Sequence, residues 1–273
     1  MSKQVNMHHN DLPSVIAFID AAKRTWSSRN SMHDDRDYSW DLGAGYEGAL
    51  ALARTGWIEG AERMAVALEA LPAIHRAPKQ TYGYVGSKVS SARFAAFNPK
   101  CMIKRKPDSG NKPVVRIAVY IAANWMAEAQ AMSNYGLAIA RYVDEMEATG
   151  RRCEVIAALA MDFSTGGSSR VCHSWTVKNA DEPMSLADMA FSIGHPAAFR
   201  RIGFALIERT PIPMQGNYGM PKMLCADDLP RDDYIILNGM NEVNSFARTY
   251  EGALAYVRLA INEALGIETE EAA

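Results

Sequence analysis

With 273 residues, 48% of them hydrophobic and 22% charged, the chain has the composition of an ordinary folded protein, long enough for one large domain or for a domain of ~150 residues with an extension. A net charge of −2 and a pI near 6.3 exclude a globally basic nucleic-acid binder and leave only local patches. Four cysteines without a CxxC pair exclude a disulfide framework and a zinc knuckle and predict a reducing compartment. No apolar run reaches the ~18 residues of a membrane span, and the opening MSKQVNMHHNDLP lacks a signal-peptide plan, so a cytoplasmic protein without a membrane partner is expected.

In chain order, residues 11–26 predict a first helix, with Asp11 as cap, Pro13 in the first turn and Leu12, Val15, Ile16 and Ile19 at helical spacing. The polar stretch 27–43 is expected to be a loop. Residues 46–55 and 57–71 predict a helical hairpin broken at Gly56, with Leu50, Leu52 and Ala53 in one arm and Met64, Ala67, Leu68 and Leu71 in the other. The hexapeptide YEGALA at Tyr46 returns at Tyr250, but the flanks differ: one copy runs into a glycine stop and a second helix, the other into the end of the chain. A shared helix start, not a duplicated domain, is the expectation.

The clearest pattern is central. Residues 113–123 form a β-branched run suited to a strand covered on both faces. A helix follows to Gly150, with Met132, Tyr135, Ile139, Val143 and Met146 on one stripe and Gly136 set for a close approach to the sheet. Residues 151–163 then give a second buried strand, which makes a right-handed parallel βαβ crossover. After the STGGSS turn, residues 170–179 alternate as a strand at an antiparallel edge. A helix from His195 with Pro196 at its first position, a strand over 232–239, and a last helix capped by Thr249 and stopped by Gly266 complete the reading. The fold class expected is a three-layer α/β/α domain over 113–273, preceded by a mainly helical region and basic linker over 1–112.

The segments ARTGWIEGAERM, NPKCM, the unit from Val114 to Val155 and SIGHPAAFRRIGFALIER resemble an uncharacterised family found mostly in tailed phages, whose central domain is similar to a von Willebrand factor A domain. The resemblance implies a viral origin and hence the host cytoplasm, with virion association open. Domains of that kind carry Asp-x-Ser-x-Ser after their first strand to hold Mg²⁺ through oxygen ligands. Tyr120, Ala122 and Asn124 occupy those positions here, a set that cannot supply the carboxylate and hydroxyls, so no metal and no cofactor are expected.

Asn124, Asp162, Ser164 and Thr165 nevertheless gather at the carboxyl ends of the predicted parallel strands, the usual ligand edge of an open α/β sheet. Arg200 lies at the edge of the apolar arc of its helix. It either joins His195 in holding an anion or a partner carboxylate, or covers apolar surface while pairing with an acid such as Asp162. His8, His9, His33 and the HDDRD run lack metal-ligand spacing and are expected to be solvated loop residues. Cys172 and His173 point to opposite faces of one strand and form no catalytic pair. No nucleophile elbow, phosphate loop or dinucleotide fingerprint occurs in the sequence.

One stretch is strongly basic: Lys100, Lys104, Arg105, Lys106, Lys112 and Arg116 bring six positive charges within 17 residues. It is either a solvated linker or a track for a phosphate backbone, with Trp125, Tyr82 and Tyr84 as stacking surfaces. The leading expectation is a non-enzymatic interaction protein that binds a protein partner or itself. The alternative is a single-stranded nucleic-acid-binding accessory of phage replication or transcription.

Overall fold

The computed structural model describes residues 3–25, 30–32, 38–69, 81–83, 88–89, 100, 102–104, 113–163, 169–211 and 220–267. Its main sheet has the order β1-β7-β6-β5-β9, built from β1 (Lys3–His9), β7 (Ser169–Lys178), β6 (Arg152–Phe163), β5 (Val114–Tyr120) and β9 (Tyr234–Leu237). Three of the four pairings along that path are parallel, and β6 with β7 is antiparallel. A two-residue strand, β8 (Met220–Pro221), adds to the end of β6. Three short strands, β2 (Thr81–Gly83), β3 (Lys88–Val89) and β4 (Met102–Lys104), form a separate antiparallel sheet. The protein is mixed α/β.

Helix α1 (Leu12–Ala21) begins where the sequence places it. Asp11 accepts from Ser14 N at 2.8 Å while Ser14 Oγ accepts from Asp11 N, and Leu12, Val15, Ile16 and Ile19 are buried. It ends earlier than predicted, because Thr25 turns its backbone N–H to the carbonyl of Glu208 at 2.9 Å. Among its described residues the predicted loop that follows contains a 3-10 turn (Asn30–Met32) and one α-helical turn, α2 (Tyr38–Asp41). Helices α3 (Gly45–Thr55) and α4 (Ile58–Glu69) form as expected but have different main neighbours. Helix α3 lies on the π-helical segment Ala198–Gly203 and on α1, while α4 lies on α5 (Ala129–Ala148) and α6 (Leu186–Met189). Gly56, at φ +76°, seats their junction against Ala187, where a Cβ would come within 2.5 Å of the Ala187 Cβ.

The β5–α5–β6 crossover is present with parallel strands, and the predicted stripe of α5 is buried. Gly136 makes its close approach to a different partner. A Cβ there would lie 2.6 Å from Gly194 Cα, in a π-helical turn (Ala190–Gly194) that continues α6, and not against the sheet. The α6 segment was not anticipated, although Ser185-x-x-Asp188 is a cap signature before an apolar run and Ser185 does accept from Asp188 N. Beyond Pro196 the predicted helix is π-helical over Ala198–Gly203 and α-helical in α7 (Phe204–Ile207). A short α8 (Val243–Phe246) precedes α9 (Tyr250–Leu265), which has Thr249 as cap and Gly266 in the left-handed region.

The expected antiparallel strand β7 is not an edge. Residues 3–9, read as a solvated N-terminus, form β1 and cover it in parallel, with Val5, Met7 and His9 opposite Val171, His173 and Trp175. The face holding Ala157, Leu159, His173 and Trp175 meets helices: Trp175 Nε1 donates to Ser192 Oγ at 3.2 Å, and Gly203 stands against Leu159. Residues before 113 share this core, since Ile16, Leu50, Trp57 and Met64 belong to the same buried cluster as the sheet. Among the described residues, no helix is long and apolar enough to cross a membrane.

Candidate functional site

The carboxyl end of β5 continues into residues 121–128, which bend back to start α5. Asn124 makes the bend: its Oδ1 accepts from Met126 N at 2.8 Å, while its Nδ2 donates to Asn241 O at 3.1 Å. Asn244, on α8, grips the other side, accepting from Glu128 N at 2.8 Å and donating to Met126 O at 2.9 Å. From below, Arg200 donates to Asn124 O at 3.2 Å, to Ala127 O at 2.9 Å and to Trp40 O at 2.6 Å, and its guanidinium lies 4.2 Å from the Trp40 ring centroid. The bend is thus tied by three side chains, and it presents Trp125 and Met126 outward, at 77% and 63% exposure.

The structure therefore brings Asn124 and Arg200 together, in a role the sequence reading did not include. Arg200 is fully buried and directs its donors to backbone carbonyls. His195 is buried as well. Its Nδ1 accepts from Ala197 N at 3.1 Å, and the ring stands edge-on to Trp57 with centroids 4.7 Å apart. Burial pushes its pKa down to about 4, only partly opposed by Asp41, so the ring is neutral at pH 7 and contributes no charge for an anion. Asp162 is ion-paired with Arg170 at 3.3 Å, and Arg170 is also held by Asp228 at 2.5 Å and by Met223 O at 2.7 Å. Ser164 and Thr165 lie outside the described residues. Tyr120 and Ala122, at the positions of the von Willebrand ligands, are buried. Among the described residues, no group of three or more His, Cys, Asp or Glu side chains is placed to hold a metal ion.

Of the basic stretch, Lys100 is exposed and Lys104 closes β4, while Arg105, Lys106 and Lys112 lie outside the described residues, as do Tyr84, His33 and the HDDRD run. Arg116 is on β5 and sits between two acids, 2.5 Å from Asp233 and 3.4 Å from Glu154, so its charge is balanced within the sheet.

Two buried polar groupings escaped the sequence reading. Arg201 and Asp41, exposed by 1% and 0%, pair at 2.7 Å, and Glu208 beside them binds Ser31 Oγ at 2.6 Å and Arg24 at 3.1 Å. The other joins His9 to His173, 3.3 Å apart, and His173 to Thr210, 2.8 Å away; His8 and His9, expected to be solvated loop residues, are strand residues of β1. The signal for β1 was there in weak form, a period-2 alternation with Val5, Met7 and His9 on one side.

Compared with known families, residues 2–268 match the model of a domain of unknown function, DUF7192. The chain belongs to the DUF7192 family. No curated protein and no solved structure matches it. In this DUF7192 chain the bend at 124–128 combines convergent bracing with an exposed apolar pair, and His195, Asp162 and Arg116 are engaged in internal contacts.

Proposed function

We propose that this protein is a non-enzymatic accessory that binds a protein partner, or a second copy of itself, through the carboxyl edge of its sheet. One observation carries the reading: Trp125 and Met126 are exposed on a bend that Asn124, Asn244 and Arg200 hold in place. Interfaces draw most of their energy from a few large anchors, tryptophan foremost, and a pre-ordered anchor avoids the entropy of ordering a loop on binding. The test compares the parent with Trp125→Ala/Met126→Ser by native mass spectrometry and by crosslinking in cells that express it. Loss of the oligomer or crosslinked partner in the variant, at unchanged melting temperature, is the expected result. A monomer that crosslinks to nothing, or a variant that keeps the same partner, overturns it.

The finer fold and origin belong to the same proposal. A three-layer, von Willebrand A-like arrangement in a tailed-phage protein is supported by the parallel β5–α5–β6 crossover and by the resembling sequence segments. A second reading, binding of single-stranded nucleic acid, is favoured by the exposed Trp125 as a stacking surface and by the exposed Lys100 at the head of the basic stretch. It predicts affinity for a labelled oligonucleotide that falls steeply with salt and drops in Lys104→Ala/Arg105→Ala/Lys106→Ala. A flat anisotropy titration at ~50 mM salt removes it.

A further inference from the structure

Among the described residues, strand β1 is an edge strand paired with β7 alone. Its last residue, His9, is buried, lies nearly parallel to His173 with an interplanar angle of 10° and centroids 5.6 Å apart, and meets Phe18 of α1 edge-on at 5.3 Å. The hydrogen-bond chain fixes the protons. Thr210 Oγ1 donates to Leu206 O at 3.0 Å, so it accepts from Nε2–H of His173. His173 Nδ1 is then an acceptor, and His9 must donate to it from Nε2. Each ring carries one N–H, and His9 Nδ1 is the ring nitrogen left to take another proton.

We propose that the His9–His173 contact is an acid-released latch that holds β1 and α1 on the sheet. A proton arriving at His9 Nδ1 leaves a full charge on a buried ring beside Phe18. A proton at His173 Nδ1 sets N–H against N–H and breaks the contact. In either case the charge is solvated only if β1 leaves β7, which gives up one ladder and the packing of α1 while β5 and β6 keep their pairing.

The surrounding elements offer little compensation, because their charged groups are engaged elsewhere. Asp11 caps α1 through Ser14, Glu208 binds Ser31 and Arg24, and Arg209 donates to the carbonyls of Ile19 and Ala205. Within β1 itself, His8 points to the opposite face, against Ser174 Oγ at 3.0 Å, where burial lowers its pKa and Glu154 opposes that only in part. Burial lowers the pKa of His9 and pushes that of His173 down to about 3, and each is lowered further by a neighbouring histidine, His8 and His9 respectively.

The test is hydrogen exchange of the whole protein at pH 7.5 and 5.0, with labelling times scaled for the intrinsic rate. A group with an unfolded pKa near 6.5 that stays neutral when docked should increase opening about tenfold per pH unit below that value, so protection over residues 3–21 should fall roughly 30-fold by pH 5. Protection over β5 and β6 should change less. In His9→Phe and His9→Gln the acid response of residues 3–21, measured against β6 in the same molecule, should shrink to what His8 and His173 contribute. Equal loss of protection in β1 and β6 in the parent overturns the latch on its own, without either variant. So does a His9 variant that keeps the parent's pH response.

Discussion

The two copies of YEGALA offer a direct test of how context sets the energy of one residue. Gly48 and Gly252 are the same residue of the same hexapeptide, each in the first turns of a helix. At Gly48 an added Cβ meets Ala44 Cβ at 3.6 Å, an ordinary contact. Gly48→Ala should therefore gain helix propensity and lose unfolded-state freedom, stabilising the protein by about 0.5–1 kcal/mol. At Gly252 the added Cβ falls 2.3 Å from Phe246 O and 3.3 Å from Thr249 Oγ1. The first is backbone and cannot swing away, the second is the hydroxyl that caps α9 through Gly252 N, and Phe246 is itself stacked on Tyr256 at 3.9 Å. Overpacking of this kind costs about 1–3 kcal/mol, against a propensity gain of at most ~1, so Gly252→Ala should destabilise by about 1–2 kcal/mol. Urea unfolding monitored by far-UV circular dichroism, with m-values compared, reads both. Shifts of the same sign in the two variants would refute the packing argument and return the hexapeptide to a simple repeated helix start.

Arg201→Met should cost about 3–5 kcal/mol at pH 7 by leaving the buried Asp41 carboxylate without its cation, measured by the same unfolding curves. Arg200→Lys replaces a fork reaching Trp40, Asn124 and Ala127 by a single ammonium, and should lose about 2 kcal/mol or more while red-shifting Trp fluorescence as the bend loosens; an unchanged spectrum and stability would count against the brace. Because His195 is held near pKa 4 when folded, below its ordinary 6.5, its contribution to stability is complete above about pH 6.5 and is lost as pH falls toward 4, by up to ~1.4 kcal/mol per pH unit; His195→Asn should flatten that part of the pH profile. In a Cys101→Ser background, an aromatic disulfide reagent should label Cys225, which is exposed, well before Cys153 and Cys172, whose burial also raises their thiol pKa values.

What could be read in advance was what is encoded locally. Helix α1 announced itself by Asp11, Pro13 and a four-residue apolar stripe, and the β5–α5–β6 unit by two apolar runs around a periodic helix with a glycine stop. Strand β1 carries only a weak alternation: Gln, Asn and His stand where β-branched residues usually mark a strand, and its burial depends on β7, more than 160 residues away in sequence. The same applies to Arg201 and Asp41, whose pairing spans 160 positions. A charged residue on a predicted apolar face reveals that a partner is needed but not where it lies.

Arg200 makes the limit concrete and bears on function. Its position at the edge of an apolar arc implied either a ligand or an acid, because those are the partners a sequence can name. Backbone carbonyls are invisible to that logic, since every residue has one. Yet three carbonyls from two separate segments converge on this guanidinium, and two of them belong to the bend that carries Trp125. The residues that looked like a polar binding edge, Asn124 and Arg200, are thereby committed to shaping the chain, and His195 sits neutral in an aromatic nest beneath. The large apolar groups facing solvent at the bend are an indole and a thioether, which bury well, and beside them stands the exposed Glu128 carboxylate, 3.7 Å from Arg248. On the proposed reading, a partner that binds here brings an apolar surface to meet Trp125 and Met126.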